Sequence, residues 1–310
     1  MTGAVPARLV FDGDGPQVEW LAHDGARFAE PFFEDTLLRL RRRPENARER
    51  LVRTPASALR EVPAGLAPAA FIFHVSRCGS TLAAQMLASL PRNLVASEPP
   101  IIDEILRLNQ RDSTATDDER IALLRGVVRA LAQPPAARVE RFFVKLDCWH
   151  ILSLDVFRRA FPGVPLLFVY RPPIDVLVSL MRRPGFVLVR DTVTPAQLGL
   201  TPAERDALTA AEHAAAILGA FFRAACALRS ALIPLAYEAL PAGLAQALPQ
   251  CAFTDGERKL LVDVAAFDAK NPAERFRPDT AQKQREATPA LIAAAARWAD
   301  PAYARWLATL

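Results

Sequence analysis

Long uninterrupted apolar runs, paired cysteines and a dominant charge sign are all missing from this chain of 310 residues. The four cysteines, Cys78, Cys148, Cys226 and Cys251, are widely separated and make no C-x-x-C spacing. That argues against a disulfide scaffold or a cysteine zinc site, and a reducing cytoplasm is the expected compartment. Lys and Arg number 38 against 34 Asp and Glu. An excess this small and this scattered suits an anionic ligand, but it is no nucleic-acid footprint. The opening MTGAVPARLVFDGDG lacks a basic stretch followed by an apolar core, so no signal peptide is expected. The longest apolar candidate, 207–233, is broken by Glu212, His213, Arg223 and Arg229. It therefore reads as a buried helix and not as a membrane span.

What is present is the composition of a globular protein, 51% hydrophobic and 23% charged. The length allows one large core or two smaller ones. Residues 1–68 read as a small leading segment. Strand candidates at 8–11 and 17–22 flank a Gly-rich turn, a helix starts near Pro31, and Pro63, Gly65 and Pro68 mark a linker. Residues 69–310 alternate short apolar runs with helical patterns. Strands are expected at 71–76, 93–97, 141–147, 165–171 and 231–238, with a long helix over about 202–230. Such alternation predicts an α/β fold, a central parallel sheet of about five strands with helices on both faces. Ligands bind such sheets at the carboxyl ends of the strands. Ser76–Thr81, Ser97-Glu98, Lys145–Asp147, Arg171 and Tyr237-Glu238 all fall at those ends.

The first of these ends is the most informative. FIFHV leads into Ser76-Arg77-Cys78-Gly79-Ser80-Thr81, and a helical pattern follows. Strand, tight turn and helix start aim backbone N–H groups at an anion. The triphosphate-binding pattern G-x-x-x-x-G-K-S/T is absent. Gly79 precedes Ser80 with no lysine, and the positive charge sits at Arg77 instead. No magnesium-binding aspartate closes a later strand in an obvious way, so an anion site without metal is the expectation. Arg171 closes a later strand and Ser179 follows eight residues on, a guanidinium and a hydroxyl placed to hold one phosphate. Lys145, on an intervening strand, adds a point charge. Cys78 reads as a space-filler within the loop, and His74 as a satisfied core residue.

These residues together resemble the sulfotransferases that use 3′-phosphoadenosine 5′-phosphosulfate. Ser76–Leu82, SRCGSTL, is similar to that family's 5′-phosphosulfate loop, with arginine at 77 as in the protein-tyrosine branch. Arg171 and Ser179 are similar to its 3′-phosphate motif, Lys145 to its strand lysine, and Tyr237-Glu238 to a Tyr-Glu pair ending a late strand. The basic stretch 270–285 resembles its closing loop, with Arg277 and Lys283 as nucleotide contacts. The likeness covers about residues 70–305 and leaves the leading segment outside. It implies sulfuryl transfer to a hydroxyl or amine of a small-molecule, carbohydrate or peptide acceptor, with 3′,5′-ADP as product. Ser76, Arg77, Cys78, Gly79, Ser80, Thr81, Arg171, Ser179 and Tyr237 would bind the nucleotide. Arg77 and Lys145 would stabilise developing charge. The small-molecule branch has a histidine where this chain has Asp147. Glu98 occupies the position of the glutamate base of the peptide and heparan branches, so Glu98 is the first candidate base, Asp147 the second and His150 the third. Two rivals follow from the same residues, a degenerate nucleotide- or partner-binding domain and a P-loop kinase of small molecules.

Overall fold

The computed structural model describes residues 3–12, 15–23, 25, 27–133, 138–267 and 280–310. Two sheets organise them. The leading segment forms an antiparallel sheet of β1 (Ala4–Asp12), β2 (Gly15–Ala22) and β3 (Val52–Pro55), in that spatial order. The second sheet comprises β4 (Pro68–His74), β5 (Asn93–Ser97), β6 (Arg141–Lys145), β7 (Leu166–Tyr170) and β8 (Leu232–Ala236). It is five-stranded, ordered β5-β6-β4-β7-β8, and every pairing is parallel. The α/β expectation is met.

The sheet is buried on both faces, which is why its strands read as continuous apolar runs rather than alternating ones. Phe71, Ile72 and Phe73 of β4 are fully buried, as are Leu167, Phe168 and Val169 of β7. Register places Ile72 of β4 opposite Lys145 of β6, and Lys145 opposite Ser97 of β5. The carboxyl ends of three strands are therefore level. Whatever follows them emerges on one edge, beside the central strand where the chain first leaves to one side and later builds the other.

The leading sheet joins the same core. Val5, Leu9, Val18, Trp20 and Leu21 are buried in one cluster with the residues of β4 to β8. Polar bonds tie it down. The Leu9 amide donates to Glu104, and Arg27 donates to the carbonyls of Ala88 (3.3 Å), Leu90 (2.8 Å) and Asn93 (3.3 Å). The helix expected near Pro31 begins at Phe33 and ends at Arg41. β3 has no counterpart in the sequence reading, because its four residues, VRTP, are mostly exposed and show no apolar alternation. The long helix is Ala210–Ala227, started by a capping box between Thr209 and Glu212. Part of the basic stretch 270–285, likened above to a loop, is a helix, Thr280–Glu286, packed against the helix Pro173–Arg182. Among the described residues, no helix is long and apolar enough to cross a membrane.

Candidate active site

The turn after β4 is held in conformations that L-residues rarely adopt. φ is +71° at Ser76, +48° at Arg77 and +86° at Gly79. With Glu98 at +58°, three of the five non-glycine residues of positive φ among the described residues belong to this one edge. Such strain persists only where surrounding structure over-determines it, and it gathers at functional sites. Gly79 is the one position where the strain needs no side chain to be tolerated, and there is no room for one. A Cβ there would stand 2.8 Å from the Tyr237 ring and 3.0 Å from Leu240. The helix Ser80–Ser89 starts directly after it without a side-chain cap, so its first amides are of the kind that bind anions. Cys78 is buried, donates to the Val169 carbonyl at 3.2 Å, and has its thiol pushed up by burial to about 11. It fills space and is not a reactive thiolate.

Arg77 reaches across the edge. Its Nε donates to the Ser179 hydroxyl at 2.8 Å, joining the turn after β4 to the helix after β7. Arg171, at the end of β7, is 2% exposed. Its Nε donates to Asp175 at 3.1 Å, and its guanidinium lies 4.0 Å from the centre of the Tyr237 ring. Tyr237 thus touches Arg171 and covers Gly79, so two predicted nucleotide-binding groups share one aromatic contact. Ser80 is buried and Thr81 half-buried at the helix start. Lys283 is buried on the helix packed against Pro173–Arg182. Arg277 lies outside the described residues.

The other half of the site is a buried run of charges. Lys145, 1% exposed, donates to Glu98. The Glu98 amide in turn donates to the Lys145 carbonyl at 2.6 Å. His74 is part of this group and not merely core. Its Nδ1 accepts from the Ser76 amide at 3.1 Å, so the proton sits on Nε2, 2.9 Å from the Leu146 carbonyl and 3.5 Å from Glu98. Burial and the nearby Lys145 charge both lower the His74 pKa, which keeps the ring neutral. Glu98 feels opposed forces. Burial raises its pKa, but the Lys145 charge and the bonds from His74 and Lys145 win and hold it at about 2. Asp147 differs. Burial, helped by the Glu98 charge, pushes it up to about 7 against the pull of His150, 3.9 Å away.

Asp103 is a site residue that sequence reasoning missed. It accepts from Trp149 Nε1 at 2.5 Å, from Arg107 Nε at 2.8 Å and pairs with His150 Nε2 at 3.0 Å. Burial raises its pKa, but the bonds and charges of His150, Trp149 and Arg107 hold it well below the usual carboxylate range. Arg107 goes on to the Thr192 carbonyl at 2.7 Å. Asp103 therefore fastens the segment after β6 and the 184–193 loop to the helix Pro100–Leu106. Its only signal in the sequence is a carboxylate one turn into a helix that follows a strand end.

The edge of the sheet thus gathers Arg77, Lys145 and Arg171, the carboxyl groups of Glu98, Asp103 and Asp147, the neutral His74 ring and a run of strained backbone. It can hold an anion at the turn after β4 and carry a proton acceptor beside it. Solved structures with similar folds are sulfotransferases. One from Mycobacterium avium is 13% identical over 82% of this chain and 79% of its own, with a TM-score of 0.45. One from Alicyclobacillus acidocaldarius is 17% identical over 78% and 95%, with a TM-score of 0.40. The sulfotransferase domain of an olefin synthase from Synechococcus PCC 7002 is 17% identical over 76% and 88%, with a TM-score of 0.38. No protein-family model and no curated protein matches the chain.

Proposed function

We propose that this chain transfers a sulfuryl group from 3′-phosphoadenosine 5′-phosphosulfate to a hydroxyl or amine of an acceptor. The observation that carries the reading is the bond from Arg77 to Ser179. It draws the anion-binding turn after β4 and the helix after β7 into one grip, and Arg171 stands buried beside it. A nucleotide phosphorylated at both the 5′ and 3′ positions needs two such anchorages, and a triphosphate needs only one. The donor set and the crowded Gly79 cradle fit this nucleotide. Arg77 and the amides at Gly79–Thr81 would hold the 5′-phosphate, Arg171 and Ser179 the 3′-phosphate, with Tyr237 packed behind and Lys283 above the helix. When bound, the nucleotide supplies an activated sulfuryl group and a phosphate leaving group.

The chain's own residues supply charge and a proton acceptor. Lys145, fixed and desolvated, is aimed where negative charge develops, and such preorganised charge costs no rearrangement at the moment of reaction. Glu98 is the proposed base, because it touches Lys145 and therefore lies nearest the reacting atoms. Its pKa is low only through its partners. Any new anion that draws the Lys145 charge away leaves burial dominant, and the carboxylate becomes a stronger base. Asp147 has the better ordinary basicity, yet it stands off toward His150. Glu98→Gln is predicted to lose turnover of 3′-phosphoadenosine 5′-phosphosulfate by at least about a hundredfold while binding 3′,5′-ADP like the parent. Full turnover in that variant moves the base to Asp147, and failure of the parent to transfer sulfuryl to any acceptor overturns the reading.

A further inference from the structure

The segment before β4 lies outside the family likeness, yet it reaches the reaction centre. Phe32 places its ring 5.5 Å from the Lys145 ammonium. That is cation–π range, and Lys145 is almost wholly removed from water. Phe32 is not there by accident of a loose chain. It has extended backbone at the start of the helix Phe33–Arg41. Its neighbour Phe33 is buried and packs edge-on against Phe28 with centroids 4.9 Å apart. Arg27 fastens the same stretch to three carbonyls around β5. A second apolar surface comes from the far side of the chain. Trp149, two residues beyond Asp147 and oriented by Asp103, meets Phe186 at 5.8 Å, and Phe186 is 67% exposed. Phe186 thus leaves an aromatic face open to solvent next to Trp149.

Resting on the sulfuryl-transfer reading, we infer that Phe32 forms a wall of the acceptor site and that the acceptor's hydroxyl is carried on an aromatic or alkyl body. The charges around it are met within the chain: Lys145 donates to Glu98, and Arg107 is engaged by Asp103 and by the Thr192 carbonyl. An acidic peptide or a sulfated glycan would find these cations already held by carboxylates, whereas the apolar body of a neutral hydroxyl compound gains contact with Phe32 and with the Trp149–Phe186 pair.

The test uses the full chain and three probes: 2-naphthol, an acidic tyrosine peptide and a sulfated heparin disaccharide. Binding is read by tryptophan fluorescence and thermal shift, with and without saturating 3′,5′-ADP. The expected result is that 2-naphthol binds tightest. Phe32→Ala should weaken it about tenfold, the order of one lost aromatic contact, while Phe32→Leu recovers part of the loss. Affinity for 3′,5′-ADP should stay unchanged in both variants, which also certifies that they fold. Equal 2-naphthol affinity in Phe32→Ala, or tighter binding of the peptide or the disaccharide, overturns the inference. Absence of 3′,5′-ADP binding by the parent chain is a separate result. It removes the sulfuryl-transfer reading, and with it the role assigned to Phe32, whatever the naphthol data give.

Discussion

Two acidic side chains near Lys145 end on opposite sides of the ordinary carboxylate range, although burial raises both. Glu98 has the ammonium as partner and stays ionised. Asp147 has the Glu98 charge against it and rises to about 7. The second shift has a consequence for stability. An unfolded aspartate titrates near about 3.9, so between that value and about 7 the folded chain holds the Asp147 proton that the unfolded chain has lost. Stability therefore falls as pH rises through this window and levels off above it. Asp147→Asn, which cannot ionise, should match the parent's melting temperature near pH 4 and exceed it by a growing margin up to pH 7. A margin that is constant across pH would contradict the assignment. At this scale the sequence was readable in that Arg77, Lys145 and Arg171, at or just past strand ends, and Ser179, in the helix after β7, all stand on one edge of the sheet. It gave no site role to Asp103, His74 or Phe32, because what makes them part of the site is a partner 46 to 113 positions away along the chain.

Among the elements, the turn at 76–81 carries most. Its pattern of strand, small polar residues and helix was legible, whereas the demand for a glycine shows only in the backbone, at φ +86°. What the pattern could not give is the lid on that glycine, since Tyr237 arrives from the end of β8. Gly79→Ala should be costly on both counts. The backbone stands at φ +86°, where a non-glycine residue loses about 1–3 kcal/mol, and the new methyl must push Tyr237 off Arg171. We expect a lower melting temperature together with a loss of at least about tenfold in 3′,5′-ADP affinity, read by calorimetric titration. Wild-type affinity in this variant would mean that the cradle does not hold the nucleotide. Elsewhere, the long helix expected from about 202 starts at Ala210, where the capping box of Thr209 and Glu212 sets its first turn. β3 and the helix Thr280–Glu286 were missed because neither shows a buried periodic face in its sequence.

The molecule as a whole is two sheets sharing one core. Alternation of apolar runs with helical patterns was enough to foresee a parallel sheet of five strands. It was not enough to foresee the order β5-β6-β4-β7-β8, because no adjacent pair except β5–β6 and β7–β8 is consecutive in the chain. That order is what puts β4 at the centre and brings Lys145 to one side of its turn and Arg171 to the other. The leading segment, read from the sequence as a small unit of its own, shares the core, and its Phe32 reaches Lys145. The central claim is a bipartite grip on a nucleotide phosphorylated at 3′ and 5′, and it can be asked directly. Thermal unfolding of the full chain should be measured with 3′,5′-ADP, with ADP and with ATP plus magnesium. A ligand of the native state raises apparent stability once its concentration exceeds Kd. The account predicts a concentration-dependent rise in melting temperature with 3′,5′-ADP, much smaller with ADP, and abolished by Arg171→Ala. Stabilisation by magnesium ATP with none by 3′,5′-ADP would contradict it.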